Sequence, residues 1–339
     1  MKMKTFIVLF SALILSGCSL LSGPAEVTFH KEKILTETIT LIKSKYPFLS
    51  FKKINPDSLQ AVYLKKIDEY DGDGVSRLLY DLLHELRDGH VTFMNSGGMN
   101  ISTYTPPRFD KALGLYDPSV VRNYFAGGLK LAGQNRIEYG RANSIGYIYF
   151  PSMMPEPDDW INAYPPILQE LADTKGLIID VRGNGGGSDF ITSIIIQCLI
   201  SSPFLGPLWL DATGTPINRG TFYPSSIHYT GRPIVLLQNG MCFSSTEGFI
   251  STMRELPNIT TVGDTTGGGS AAPRDFLISD RFVIHLSTMA QLTYEGKFIE
   301  WNGIEPGILV VQTKDALAAG HDLQLEKAFA VLKEQTGGK

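Results

Sequence analysis

The chain has 339 residues, 43% of them hydrophobic, which suffices for one large or two moderate domains with a sizeable core and excludes a disordered chain. A formal net charge of −4 leaves no global basic field, so charge excludes nucleic acid as a partner and gives no general attraction to anionic lipid. No clustered His/Cys spacing and no His-Glu-x-x-His string occurs, so neither a metal nor another cofactor is expected.

Lys2 and Lys4 precede an apolar run over 6–15, followed by Leu15-Ser16-Gly17-Cys18. This resembles a bacterial lipoprotein signal. The resemblance implies removal of residues 1–17, a diacylated Cys18, and a tether over 18–28. The body then sits in the bacterial cell envelope, held to a membrane by its N-terminal lipid anchor. Ser19 after the cysteine favours the outer membrane in enterobacterial signals of this kind. An ordinary signal peptide or membrane anchor is the alternative.

Residues 29–94 read as a helical subdomain, with apolar Ile34, Ile39 and Ile42, a break at Tyr46-Pro47, and helical patterns over 59–67 and 75–86. Asn55-Pro56-Asp57 is a helix start signal. Residues 95–136 are loop-rich, and 137–336 form the core. There, strand 145–150, helix 160–173, strand 177–181, helix 189–200, strand 234–237, helix 246–255, strand 260–262, a β section 281–292, strand 308–311 and helix 323–333 follow one another. The alternation implies crossover units and a largely parallel sheet, hence an α/β (α+β) fold.

Strand 177–181 ends in Arg182-Gly183-Asn184-Gly185-Gly186-Gly187, a turn that frees backbone N–H groups beside a helix N-terminus and so suits an anion. A dinucleotide fingerprint would need a glycine where Ser188 stands, and no Walker string occurs. An oxyanion remains. Asp180 and Arg182 are expected to brace the turn by ion pairing. After strand 234–237 comes Cys242-Phe243-Ser244-Ser245-Thr246-Glu247, hydroxyls at a strand-to-helix junction. Ser and Thr there serve equally as helix caps, and the string is not Gly-x-Ser-x-Gly. In Asp88-Gly89-His90 a histidine follows the last N-terminal helix, where it could be a base or only a dipole-compensating cap. Cys198 and Cys242 read as buried free thiols rather than a disulfide.

Taken jointly, these strings, with Val262-Gly263-Asp264-Thr265-Thr266-Gly267, Gly303-Ile304-Glu305-Pro306 and the closing Asp322-Leu323-Gln324-Leu325-Glu326, resemble the tail-specific, or C-terminal processing, serine peptidase family. That family includes the tricorn core protease and retinoid-binding modules. The resemblance implies a crotonase-like ββα core and makes Ser244, three residues before Glu247, the nucleophile. Gly269 stands where processing peptidases carry a lysine base, so the tricorn-like alternative applies, with His90 as base and Glu300 as its orienter. Glu305 is the rival orienter. The oxyanion hole is then the N–H of Ser245 with that of Gly186 or, failing that, Gly185. The interval from His90 to Ile145 is too short for the PDZ domain of the processing peptidases.

The expected function is a membrane-tethered serine endopeptidase acting on envelope peptides or partly unfolded proteins. A non-peptidase module for small apolar ligands, or an esterase or amidase using the same residues, is the alternative. Oligomeric state is not legible in the sequence.

Overall fold

The computed structural model describes residues 24–70, 74–95, 97–154, 157–279 and 281–337. The expected signal segment and Cys18 lie outside them. The first helix, α1 (Pro24–Lys45), covers part of the stretch expected as tether.

The chain turns at Tyr46-Pro47 into the single turn α2 (Leu49–Lys52), then α3 (Pro56–Lys65) and α4 (Val75–His84). Asn55 starts α3 as the sequence pattern predicts: its side chain accepts from the backbone N–H groups of Asp57 and Ser58 at 3.0 and 3.1 Å. On α4 the adjacent pairs Leu78, Leu79 and Leu82, Leu83 are all buried, a four-residue repeat that puts one face inward. Leu78 and Leu82 join Leu35, Ile39 and Tyr63 in a cluster among the helices. Leu79 and Leu83 instead pack with Tyr46, Phe48, Ile284 and Leu286. The helices therefore share a core with strands two hundred residues away.

Those strands form an antiparallel sheet. β1 (Thr92–Met94) pairs with β2 (Asn100–Ser102), and α5 (Pro107–Ala112) and α6 (Pro118–Arg122) follow. β3 (Lys130–Ala132), β4 (Ile137–Ala142) and β5 (Ile145–Tyr149) then enter a second sheet, which continues through α7 (Pro157–Glu170), β6 (Gly176–Asp180) and α8 (Asp189–Gln197). The short strands β7 (Phe204–Leu205), β8 (Leu208–Leu210), β9 (Pro216–Ile217) and β10 (Thr221–Phe222) lead to β11 (Ile234–Gln238), α9 (Ser245–Met253) and β12 (Ile259–Gly263). β13 (Ala271–Ile278) and β14 (Phe282–Leu292) make a long hairpin, and β14 pairs with β1 and β8. β15 (Ile308–Leu309), α10 (Lys314–Ala318) and α11 (Leu323–Gln335) end the described chain.

The seven-stranded sheet has the order β15-β12-β11-β6-β5-β4-β3, parallel from β15 to β5 and antiparallel at β4 and β3. Period-two alternation assigns its faces. Leu177, Ile179, Ile234 and Leu236 pack with α7, α8 and α9 residues such as Leu168, Ile191 and Phe249. Ile178, Val235 and Leu237 turn the other way onto Leu325, Ala328 and Leu332 of α11. Because β6 and β11 are parallel neighbours, with Leu237 opposite Asp180, the loops leaving their C-terminal ends emerge side by side.

Candidate active site

The loop after β11 delivers Ser244 at the N-terminus of α9. Its backbone is at φ 57°, ψ −129°, a region sparsely populated for a residue with a β-carbon. Such strain persists only where the surroundings over-determine it, and here Glu247 does so. This carboxylate is buried and accepts from Ser244 N (3.2 Å), Gly269 N (2.8 Å), Gly268 N (2.9 Å) and Thr266 Oγ1 (2.5 Å). Burial pushes it up to about 7, although all four donors favour its charged form. Glu247, which in the sequence served to locate the serine, is thus the clamp between the serine turn and the 266–269 segment.

The glycine turn after β6 lies against this serine. A β-carbon on Gly186, at φ 96°, would come within 2.8 Å of Ser244 Cβ and 2.7 Å of Phe243 O, so only glycine fits. Asn184 joins the two turns: its Oδ1 accepts from Gly186 N (2.9 Å) and Thr246 Oγ1 (2.7 Å), and its Nδ2 donates to Phe150 O (2.9 Å). The N–H groups named as oxyanion donors differ in what they meet. The N–H of Gly186 is already engaged, whereas among the described residues none accepts from the N–H of Gly185 or Ser245. Below the turn Arg182 is fully buried and pairs with Asp180 (2.7 Å) and Asp322 (2.8 Å), the bracing read from the sequence.

His90 arrives from the other side, on the loop between α4 and β1. Its Nε2 lies 2.8 Å from Ser244 Oγ across 154 residues of sequence. Asp88 shapes that loop: its Oδ1 accepts the His90 backbone N–H at 2.9 Å, and its Oδ2 accepts Ser287 Oγ from β14 at 2.8 Å. The Phe243 ring stacks on the imidazole with centroids 4.7 Å apart. Burial pulls His90 down to about 4 against the upward pull of Asp88, so the imidazole is neutral at neutral pH and its Nε2 can accept a proton. Burial works against the Asp88 charge too, but Lys52, His90 and the two hydrogen bonds outweigh it and hold that carboxyl below its usual value.

Glu300 is close to this group without making the expected contact. It is buried, and its Oε1 takes a hydrogen bond from Lys52 Nζ at 2.5 Å. It neither bonds nor ion-pairs with His90. The carboxylate that approaches the imidazole is Asp88, with Oδ1 3.8 Å from Nδ1. The physical reason is competition: a buried ammonium is a stronger partner for a buried carboxylate than a neutral imidazole. Glu300 Oε2 and His90 Nδ1 are both buried without a hydrogen-bond partner. Burial and the Asp88 charge push Glu300 well above the usual carboxylate range despite Lys52. Glu305, the rival orienter, is exposed.

Two residues that sequence reasoning passed over therefore shape the site. The string Asp88-Gly89-His90 gives Asp88 no role, and no local pattern singles out Lys52. The glycine at 269 has a steric counterpart as well: a β-carbon there would overlap the Phe243 ring, so the position that could hold a lysine base is filled by the aromatic that stacks on His90. Cys198 and Cys242 are buried and free. Beside the His90 loop opens a cleft of about 370 Å³, walled by Tyr104, Pro106 and Trp301, rimmed by Arg87, Arg108 and Lys111, and reaching Glu300.

A serine held in a strained turn, a neutral histidine on its hydroxyl and free N–H groups beside it define a site of the serine-hydrolase kind. Residues 144–310 match the model of peptidase family S41. Among curated proteins it is 25% identical over 192 residues to the carboxy-terminal processing protease CtpB of Bacillus subtilis, covering 56% of this chain and 38% of that one. It is 26% identical over 190 residues to the tricorn protease of Thermoplasma volcanium, covering 56% and 17%. The chain thus spans less than two fifths of the length of these relatives. A solved putative peptidase from Parabacteroides merdae superposes with a TM-score of 0.78 at 25% identity, over 89% of this chain and 96% of that one.

Proposed function

We propose that the protein is a serine peptidase in which Ser244 is the nucleophile and His90 its general base. The observation that carries this reading is the 2.8 Å approach of His90 Nε2 to Ser244 Oγ at a serine with φ 57°. His90 Nε2 takes the hydroxyl proton as Oγ attacks the carbonyl carbon. The resulting oxyanion receives the N–H groups of Ser245 and Gly185, with Gly186 as the close-packed floor. The proton then passes from His90 to the departing amine, and water repeats the cycle on the acyl-enzyme. The Asp88 charge stabilises the imidazolium, and Glu300 acts on it from behind Lys52 rather than as a direct orienter. The match to peptidase family S41 supports peptides or proteins as substrates.

The expectation of a lipid anchor at Cys18 completes the proposal, with unfolded envelope polypeptides as substrates met at the membrane face. It rests on the Lys2 to Cys18 string alone. Metabolic labelling with a palmitate analogue tests it: incorporation lost in Cys18→Ala supports the anchor, and equal incorporation refutes it.

The catalytic part is tested by reacting the protein with a fluorophosphonate and locating the adduct by mass spectrometry, then following cleavage of an unfolded protein. The adduct is expected on Ser244, absent in Ser244→Ala and strongly reduced in His90→Ala. A folded protein that gives no adduct, or gives it equally without His90, overturns the reading. An adduct without cleavage of any peptide moves the activity to esters or amides.

A further inference from the structure

Lysine is ordinarily a surface residue, because an ammonium out of water is strongly unfavourable unless its protons find acceptors. Lys52 is an exception of the first order. Its side chain is wholly buried, and the three N–H groups of Nζ are shared among four acceptors, Glu300 Oε1 (2.5 Å), Leu86 O (2.9 Å), Tyr46 Oη (2.9 Å) and Arg87 O (3.1 Å). The rings of Trp301 and Phe48 stand 4.8 and 5.2 Å from it. Its acceptors are informative. Leu86 and Arg87 immediately precede Asp88-Gly89-His90, so the ammonium grips the start of the loop that carries the base. Glu300 comes from the segment after β14. Trp301, the next residue, donates its indole N–H to the same Arg87 carbonyl at 2.9 Å. One side chain from α2 thus ties three separate segments behind the imidazole.

We propose that Lys52 is a positioning residue for His90: it fixes the Leu86–Arg87 carbonyls that launch the base loop, holds Glu300 off the imidazole, and supplies the positive charge that offsets Asp88 and Glu300. This rests on His90 being the base for Ser244. The groups facing the imidazole are Asp88 from its own loop, Lys52 from α2 with Glu300 behind it, His285 from β14 and the uncharged Ser244 and Phe243. His285 is itself paired with Asp275 of β13 at 2.6 Å. Without Lys52 the Asp88 carboxylate stands beside the imidazole with no buried cation to offset it. The imidazolium then becomes easier to form and the base is lost at higher pH. Lys52 opposes that protonation in the intact protein.

The test is the rate of fluorophosphonate labelling of Ser244 against pH, in the full chain in detergent, for the wild type, Lys52→Met, Lys52→Gln and Lys52→Arg, with folding checked by thermal melting. Wild-type labelling that depends on His90 establishes the underlying reading separately. If the wild type does not label, both readings fall together. With labelling established, Lys52→Met is expected to slow it about tenfold and to move its acidic half-rate point upward by at least about half a pH unit. Lys52→Gln keeps a donor for the carbonyls and folds more readily; it shows the same upward shift with a smaller loss of rate. Lys52→Arg keeps the charge and returns the half-rate point to the wild-type value, although its planar fork fits poorly and the rate stays reduced. A folded Met or Gln variant with the wild-type half-rate point overturns the proposal, because a purely structural role lowers the rate without moving the limb.

Discussion

Arg182 and Lys52 are both buried cations in carboxylate company, yet their surroundings differ in what they leave free. Arg182 uses all three guanidinium nitrogens on Asp180, Asp322 and Gln324, and its Nε and Nη2 meet Asp180 as a fork. Lys52 spends its donors on two backbone carbonyls, a tyrosine and one oxygen of Glu300, and beside it stand two buried polar atoms without partners, Glu300 Oε2 and His90 Nδ1. The first cluster holds no imidazole and joins the glycine turn to the start of α11. The second surrounds the histidine proposed as general base. Each cluster leaves one carboxylate oxygen buried without a partner, Asp322 Oδ2 in the first and Glu300 Oε2 in the second, and only the second adds an unpartnered imidazole nitrogen.

The strongest break of this comparison would be an enzyme that works without its imidazole. His90→Ala is expected to lower kcat/KM by roughly 10⁴-fold or more while leaving the melting temperature nearly unchanged; steady-state peptide cleavage and a thermal melt measure both. Arg182→Ala should do the reverse. It leaves Asp180 buried and unpaired, for a loss of about 3–5 kcal/mol in urea unfolding, and a stable but inactive variant would erase the distinction between the clusters.

Gly186→Ala tests the floor of the site by placing a methyl group on Ser244 Cβ, and about 10²–10³-fold in kcat is expected to go. Asp88→Asn against Glu300→Gln sharpens the second cluster. The Asp88 change should cost about 10²-fold in kcat/KM and the Glu300 change about tenfold or less, since only Asp88 approaches Nδ1. The opposite ranking would return Glu300 to the role of direct orienter.

The smallest effects are those of pH. With His90 near 4, activity should persist on acidification well below the usual histidine range and fall to half near pH 4. The same depression acts on stability. Between about 6.5 and about 4 the unfolded chain binds the extra proton, so the His90 contribution present above that window is lost as pH falls through it. Glu247 has the opposite sign: its folded value near 7 exceeds the unfolded one of about 4.5, so its contribution is full below the latter and lost as pH rises through about 7. Unfolding free energies of Glu247→Gln across this range should lack that decline.

The parts of the site that were readable from sequence are those encoded locally. Asn55-Pro56 starts α3 where predicted, and the apolar runs at 177–179 and 234–237 become the two central parallel strands. Glycine at 269 in place of lysine pointed to a different base, and the Phe243 ring in that space is the physical form of the same fact. Less legible was the β13–β14 hairpin, whose exposed Arg274 and Asp275 blur the alternation and which the pattern placed only from 281 onward. The helical segment looked separable because nothing in 29–94 announces that Leu79, Leu83 and Phe93 pack on β14.

By itself the sequence carried the resemblance to a serine peptidase family, the central strands and helices of the core and the strings that hold Ser244 and His90, because each rests on short-range pattern: apolar period, glycine at a turn, hydroxyls at a helix start. Only the tertiary structure decided which carboxylate faces that histidine. Asp88, Lys52 and Glu300 are brought together from a loop, a one-turn helix and the segment after β14, and the pairing among them follows from burial and competition for one ammonium, which no local spacing encodes.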